Sequence, residues 1–115
     1  MRYEIHNPEQ AKEDLKGALR ILQRDGWTQG KFKCADGKFC VQGAILAAVG
    51  VQRIGPNGYD AAEADFYPKQ KRFHDANKLL MNHLDLGYFQ TSADWNDDAD
   101  RTFEDVRAAL TAASA

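Results

Sequence analysis

Apolar residues recur at helical spacing in four stretches of this chain, and the first stretch is the clearest. Asn7 is placed to cap a helix, Pro8 suits the first helical position, and Gly26 suits the residue that follows the last turn. Between them runs one apolar stripe, formed by Ala11, Leu15, Ala18, Leu19 and Leu22. The pattern predicts an amphipathic helix between Asn7 and Gly26.

The second helical stretch is predicted to begin at Cys40 or Val41 and to run to Val49, with Gly50 stopping it. It is apolar on nearly every side, which is typical of a central, buried helix. The helical period is carried by Val41, Ala44, Ile45, Ala48 and Val49.

The last two helices are marked by their first residues. Pro68 opens the third, which is predicted to run to about Leu86 and to be closed by Gly87. Thr102 begins the fourth, with Asp105 three residues later as its capping partner. The predicted inner faces are Phe73, Ala76, Leu80 and Leu84 in the third helix, and Phe103, Val106, Ala109, Leu110 and Ala113 in the fourth.

A small ribbon is predicted between the first and second helices. Residues 27–34 alternate loosely, and Asp36 with Gly37 forms a typical hairpin turn, because both residues tolerate positive φ. Residues 38–40 would form the short return strand. Such a ribbon cannot stand alone and must pack on helices.

Residues 51–67 carry no clear period. Residues 55–58 (Gly-Pro-Asn-Gly) predict a turn, and residues 59–66 fit either a short helix or an ordered loop. The predicted fold is therefore mainly α, a single domain over residues 1–115. It has four helices and a small two-stranded β-ribbon between the first and second.

Composition limits the cellular settings that we expect for this protein. The longest mainly apolar run, Ala44–Val51, is far too short to span a bilayer, and the N-terminus lacks an apolar signal core. We therefore expect a cytoplasmic protein without a membrane contact. Cys34 and Cys40 are too few for a disulfide scaffold, and a reducing compartment would keep them as thiols.

Charge argues against a nucleic-acid partner. The net charge is −2, whereas nucleic-acid binders usually carry a strong basic excess. The outer face of the third helix is basic, but no aromatic stacking ladder is apparent beside it: Lys69, Lys71, Arg72, His74 and Lys78. The acidic segment 94–105 has the opposite sign, and such asymmetry suits oriented docking on a protein.

That acidic segment superficially resembles a calcium loop. Oxygen-bearing residues fall at the six ligand positions of such a loop, namely Asp94, Asn96, Asp98, Asp100, Thr102 and Asp105. Ala99 stands where the loop needs glycine, and Asp105 stands where it needs the longer glutamate. We therefore expect these acids to cap the last helix and favour its positive end, not to bind a metal ion.

Cys40 is the candidate nucleophile, because the N-terminus of a helix lowers the pKa of a thiol. That chemistry also needs a base such as His74 or His83 close in space. Free cysteines are mostly buried, so a packed, inert Cys40 is the simpler expectation. Cys34 and Cys40 do not form a zinc site with the two histidines, whose spacing places them on different sides of one helix. No catalytic residue, metal or cofactor is assigned.

Several motifs occur together in a familiar order. They are residues 26–30 (Gly-Trp-Thr-Gln-Gly), Asp36-Gly37, residues 40–45 (Cys-Val-Gln-Gly-Ala-Ile), residues 95–97 (Trp-Asn-Asp), Arg101-Thr102 and Val106. This order resembles a family of small proteins from actinobacteria and their phages, known only as a domain of unknown function. The resemblance implies a phage or accessory-gene setting and no particular chemistry.

The two tryptophan segments are the best candidates for a site. We expect Trp27 and Trp95 to fold onto the central helix and seal the ends of the core. The candidate binding residues are Trp27, Gln29, Trp95, Asn96, Asp97 and Arg101.

Function is predicted mainly from what the sequence lacks, since it contains no catalytic constellation and no cofactor loop. We expect a small phage-type or accessory protein that binds a host or cellular protein. The alternative is a small enzyme or ligand-binding protein that uses Cys40 and polar residues near the two tryptophans. A cleft in which Cys40 meets a histidine or Asp97 would favour that alternative.

Overall fold

The computed structural model describes residues 2–60, 62, 66–86 and 90–115. Within these ranges the chain is mainly helical, as predicted. Five helices and one two-stranded sheet follow in the order α1 (Pro8–Asp25), α2 (Val41–Ala48), β1 (Ile54–Gly55), β2 (Gly58–Tyr59), α3 (Phe66–Leu84), α4 (Ser92–Asn96) and α5 (Phe103–Ala113).

The first helix begins and ends where the sequence predicts. The side chain of Asn7 accepts a hydrogen bond from the backbone N–H of Gln10 at 3.2 Å. Gly26 follows the last turn with φ 102°, a value that L side chains rarely adopt, and its N–H donates to the carbonyl of Leu22 at 2.9 Å. The predicted stripe faces the core, where all its members except the half-buried Leu19 are buried.

The second helix is buried and lies against α1, as its all-round apolar sequence predicts. Its buried residues are Val41, Gly43, Ala44, Ile45 and Leu46. Helix α1 also packs against α3 and α5, and α2 against α3 and α4. One cluster of buried apolar side chains therefore joins α1, α2, α3 and α5, and Trp95 of α4 packs against it.

Helix α3 begins at Phe66, two residues before the predicted start, and ends at Leu84, two residues before the predicted end. Pro68 fits inside the first turn because the first backbone N–H groups of a helix have no partner within it. The chain leaves helical geometry at Asp85, whose φ of 51° cannot continue the helix. The predicted stop at Gly87 lies outside the described residues.

The predicted position of the ribbon is wrong. The turn at Asp36 and Gly37 is present, but around it the chain forms only isolated bridges, from Phe39 to Trp27 and from Phe39 to Lys33. Because Phe39 divides its pairing between two neighbouring segments, no run of consecutive strand pairs develops. The two-stranded sheet lies after α2, where β1 and β2 enclose the turn predicted at residues 55–58.

A short helix, α4, was not predicted, since the sequence from Asp94 onwards was expected to be a loop. Thr91 caps this helix in a reciprocal arrangement, in which its side chain accepts from the N–H of Asp94 and its own N–H donates to that carboxylate. Of residues 59–66, Tyr59 belongs to β2 and Phe66 to α3, and residues 61 and 63–65 lie outside the described part.

The start of α5 at Thr102 is confirmed, with the same reciprocal cap to Asp105. We expect Thr102→Ala to lower the free energy of unfolding by about 1 kcal/mol, the usual loss for an N-cap side chain. Denaturant titration measures this loss. Thr111→Ala, the same change at an exposed site within α5, is the control and should differ little from wild type. An unchanged midpoint for Thr102→Ala would contradict the importance of this cap.

Candidate functional site

The two tryptophan segments meet beside the N-terminus of α2. Trp95 and Asn96 belong to α4, whereas Trp27 and Gln29 belong to the segment that follows α1. Both tryptophans are half-buried and pack against the core cluster, as the sequence predicts. Five hydrogen bonds that involve side chains join the two segments directly.

Asn96 is the centre of this contact and is fully buried, with 0% of its surface exposed. Its Oδ1 accepts from the indole Nε1 of Trp27 at 2.7 Å and from the backbone N–H of Val41 at 3.0 Å. Its Nδ2 donates to the carbonyl of Thr28 at 3.1 Å and to Oδ1 of Asp97 at 2.9 Å. The amide thus uses both of its donor hydrogens and both acceptor sites.

Two further side chains strengthen the same contact. The Nε2 of Gln29 donates to the backbone carbonyls of Asn96 at 3.0 Å and Asp98 at 2.7 Å. The carboxylate of Asp97 accepts the backbone N–H of Gly30 at 2.9 Å. Each bond joins positions 67 or more residues apart in the chain, so the two segments position each other.

Arg101 packs on Trp95 at the outer side of the contact. Its guanidinium lies over the indole of Trp95, 4.1 Å from the ring centroid, which is a favourable cation–π geometry. Its Nε also donates to the carbonyl of Trp95 at 2.9 Å, and its terminal nitrogen lies 4.0 Å from the carboxylate of Asp98. The side chain is thereby held flat against α4.

The structure therefore brings all the predicted binding residues into one arrangement, here called the Asn96 network: Trp27, Gln29, Trp95, Asn96, Asp97 and Arg101. No buried side-chain nitrogen or oxygen among the described residues lacks a hydrogen-bond partner. The polar groups of the network are mostly occupied in joining the two segments. The network therefore holds its members in fixed positions, and Asp97 is the member that also lines a neighbouring cleft.

The cleft on the side of Asp97 encloses about 200 Å³. Four parts of the chain line this cleft: the segment after α1, the N-cap of α2, the turn of the small sheet, and α4 with its C-cap. The lining residues are, in that order, Gly30, Lys31 and Phe32; Cys40; Pro56 and Asn57; and Ala93 and Asp97. Sequence analysis identified Asp97 as a binding candidate and Cys40 as the alternative nucleophile. It missed Lys31, Asn57 and Ala93, because no local pattern distinguishes them from other surface residues.

Cys40 caps α2, and its Sγ accepts the backbone N–H of Gly43 at 3.3 Å. Burial raises the pKa of this thiol; the N–H of Gly43 opposes that shift, and the negative charge of Asp97 adds to it. The cleft does place Cys40 beside Asp97, but no histidine is among the described residues that line it. The site therefore disfavours the thiolate that a cysteine nucleophile requires.

We expect Cys40 to react with thiol reagents at least roughly tenfold more slowly than a free cysteine peptide, because it is buried and its thiolate is disfavoured. Labelling of the folded protein at neutral pH, in a Cys34→Ala background, measures Cys40 alone. Unfolded protein of the same variant provides the control for full reactivity. If Cys40 reacts as fast as the free peptide, that result would instead support the enzyme alternative.

A second buried polar group was not predicted. The hydroxyl of Ser92 donates to the side-chain oxygen of Asn77 and accepts from Nε2 of Gln42, the latter at 2.9 Å. Ser92 is fully buried and thereby joins α4 to α2 and α3. This arrangement explains how a helix of only five residues is held in place, and it does not extend the cleft.

Most acids of the segment 94–105 have separate structural partners. Asp94 and Asp105 cap the two last helices, the latter as predicted. Asp98 accepts the backbone N–H of Asp100 at 2.9 Å. Across the described ranges, no group of three or more His, Cys, Asp or Glu side chains is placed to hold a metal ion.

No helix in the described part of the chain is both long enough and apolar enough to cross a membrane. No curated protein and no solved structure gives a significant match to the sequence. The model of one protein family matches residues 6–115, which is nearly the whole chain. The protein therefore belongs to a family of unknown function, DUF6197.

Proposed function

We propose that this protein acts by binding another protein, and that the cleft beside the Asn96 network receives one anchoring side chain of that partner. The phage or accessory-gene setting implied by the sequence resemblance makes a host or cellular protein the class of partner. The observation that carries the proposal is the size of the cleft, together with the hydrogen bonds that hold Asp97 in its wall.

Size separates the two candidate functions. Sites for cofactors and drug-sized ligands usually enclose about 300–1,000 Å³. The cleft encloses about 200 Å³, which is small for such a ligand and suits one large side chain. Protein interfaces are commonly anchored by a few such residues, above all Trp, Tyr and Arg, each seated in a pocket of the partner.

The lining also suits an anchor residue. Phe32, Pro56 and Ala93 supply apolar surface, whereas Lys31 and Asp97 bring charges of both signs. Asp97 has one carboxylate oxygen bonded to the network, and the other has no hydrogen bond within the described residues. Because the network fixes the position of this carboxylate, little ordering cost falls on binding.

The enzyme alternative has one observation in its favour, which is that Cys40 and Asp97 line the same cleft. However, a carboxylate beside a thiol raises the pKa of the thiol, whereas a cysteine nucleophile needs a neighbour that lowers it. The proposal therefore assigns Cys40 to the wall of the cleft and gives it no chemical step.

Selection from a displayed library of random peptides tests the proposal without knowledge of the partner. Wild-type protein should enrich peptides that share one large side chain. These peptides should lose binding to Ala93→Phe, in which a ring occupies the cleft, and should keep binding to Ala99→Phe, the same change at an exposed site. Thermal melts would establish that both variants are folded. Peptides that bind Ala93→Phe as tightly as wild type, or a selection that enriches nothing, would contradict the proposal.

A further inference from the structure

A second cavity lies away from the Asn96 network, between the N-terminal segment, the start of α1 and α3. It encloses about 290 Å³, near the lower limit for small-molecule sites. Seven of its eight lining residues are polar or charged, namely His6, Asn7, Gln10, Asp14, Lys71, Arg72 and Asp75, and the eighth is Ala11. Two carboxylates in this lining are almost completely buried, and their partners differ.

Asp14 is 3% exposed and is paired with a cation, the guanidinium of Arg72. Its carboxylate receives two hydrogen bonds from Arg72, at 2.6 Å and 3.2 Å, and one from the amide of Gln10 at 3.0 Å. Such a two-point contact between guanidinium and carboxylate neutralises both charges. Asp14 and Arg72 therefore leave no net charge in the cavity.

Asp75 is 7% exposed, and its charge is not neutralised in this way. Its two oxygens accept the backbone N–H groups of His6 at 3.1 Å and Asn7 at 3.0 Å. No Lys, Arg or His side chain in the described part of the chain forms an ion pair with it. Buried carboxylates are normally paired with a cation, and each oxygen of Asp75 can still accept a further hydrogen bond.

The positive charge of Lys71 has no acidic partner. It is exposed, lines the same cavity, and forms no ion pair with an acidic side chain of the described residues. Lys71 and Asp75 are one helical turn apart on α3 and yet do not pair with each other. The cavity therefore presents a buried negative charge and a separate positive charge at its edge.

We propose that this cavity binds a small zwitterion of the free α-amino acid class. The ammonium group of the ligand donates to the carboxylate of Asp75, and its carboxylate lies against the ammonium group of Lys71. The ligand thus supplies the cation that Asp75 lacks. A metal ion suits the site less well, because no group of three or more His, Cys, Asp or Glu side chains in the described part of the chain is placed to hold one.

Titration of isotope-labelled protein with each of the twenty L-amino acids, followed by two-dimensional NMR, tests this inference on the intact chain. At least one amino acid should give saturable shifts of the backbone amides of His6, Lys71 and Asp75. A simple amine or a simple carboxylate of similar size, each lacking one charge, should bind about tenfold more weakly or worse. Absence of shifts with all twenty would overturn the proposal, as would an amine that binds as tightly as the best amino acid.

A matched pair of variants locates the binding site. Lys71→Met should weaken binding of the selected amino acid about tenfold, because one charged contact is lost. Lys78→Met, the same change on the same helix and outside the cavity lining, should leave the affinity unchanged. Equal affinities for Lys71→Met and wild type would overturn the assignment. Asp75 also holds the backbone of residues 6 and 7, so its replacement is not used.

Discussion

Asn96→Asp is expected to lower the free energy of unfolding by about 3–5 kcal/mol at neutral pH, the cost of leaving a buried charge without a partner. The substitution keeps the shape of the side chain and exchanges an NH₂ group for an oxygen. That oxygen would face the carbonyl of Thr28 and the carboxylate of Asp97, both of which now accept from Asn96. Denaturant titration of both proteins measures the loss.

The way in which the stability loss of Asn96→Asp changes with pH shows whether the buried charge causes it. Burial and the charge of Asp97 would raise the pKa of a carboxyl group at position 96 above its value in the unfolded chain. The part of the penalty that comes from charge is therefore absent well below about pH 4, where the group is protonated in both states, and it grows as pH rises towards the folded-state pKa. A smaller penalty remains in acid, because a protonated carboxyl group has one donor hydrogen where the amide has two. The difference between variant and wild type should shrink on acidification, and a difference independent of pH would contradict this mechanism.

Two controls separate charge from shape. Asn57→Asp makes the same change at an exposed turn and should alter stability little. Adding Asp97→Asn to Asn96→Asp removes the like charge and supplies an NH₂ donor, so the double variant should regain part of the lost stability. Failure of this second change to help would place the damage at Thr28 or elsewhere.

The elements that the sequence predicts correctly are those specified by local chemistry. Asn7 caps α1, Thr102 caps α5, and Gly26 ends α1, and each acts on backbone groups within four residues of itself. Helix α4 has a local signal of the same kind. Thr91 and Asp94 have the spacing of a reciprocal cap, and recognising it would have located the helix within the acidic segment.

The ribbon and the partners of Asn96 depend on distant parts of the chain. Phe39 could pair as a regular hairpin strand, but its backbone N–H bonds to Gly26 and its carbonyl accepts from Thr28. Asn96 meets an indole 69 positions away. The motifs containing Trp27 and Asn96 could be identified as candidates, whereas their mutual hydrogen bonding required the packed structure.

The cleft also depends on contacts between distant parts of the chain. Lys31 and Asn57 are ordinary surface residues in sequence, and they line one cleft only because the small sheet lies after α2 and not before it. The sheet contacts the earlier segment through the hydrogen bond from the N–H of Phe32 to the carbonyl of Pro56 at 2.9 Å and through the edge-on ring contact between Phe32 and Tyr59. A correct ribbon position is therefore a precondition for predicting the cleft.

The other large effect on stability is expected from replacing Gly43, which belongs to the motif of residues 40–45. The carbonyl of Phe32 accepts the N–H of Cys40 at 3.3 Å and lies directly over α2. A Cβ atom at position 43 would lie 2.8 Å from the carbonyl carbon of Phe32 and still closer to its oxygen. Because the obstructing atoms belong to the backbone, they cannot turn aside as a flexible side chain could.

Gly43→Ala should therefore lower the free energy of unfolding by about 3 kcal/mol or more, at or beyond the upper end of the usual cost of overpacking. Helix propensity alone predicts the opposite, a gain of about 1 kcal/mol from replacing glycine by alanine inside a helix. Gly58→Ala is the control, since an added Cβ there meets no atom of the described residues within 4 Å beyond its own chain neighbours. Denaturant titration distinguishes the two signs, and a more stable Gly43→Ala would show that Phe32 does not approach α2 this closely.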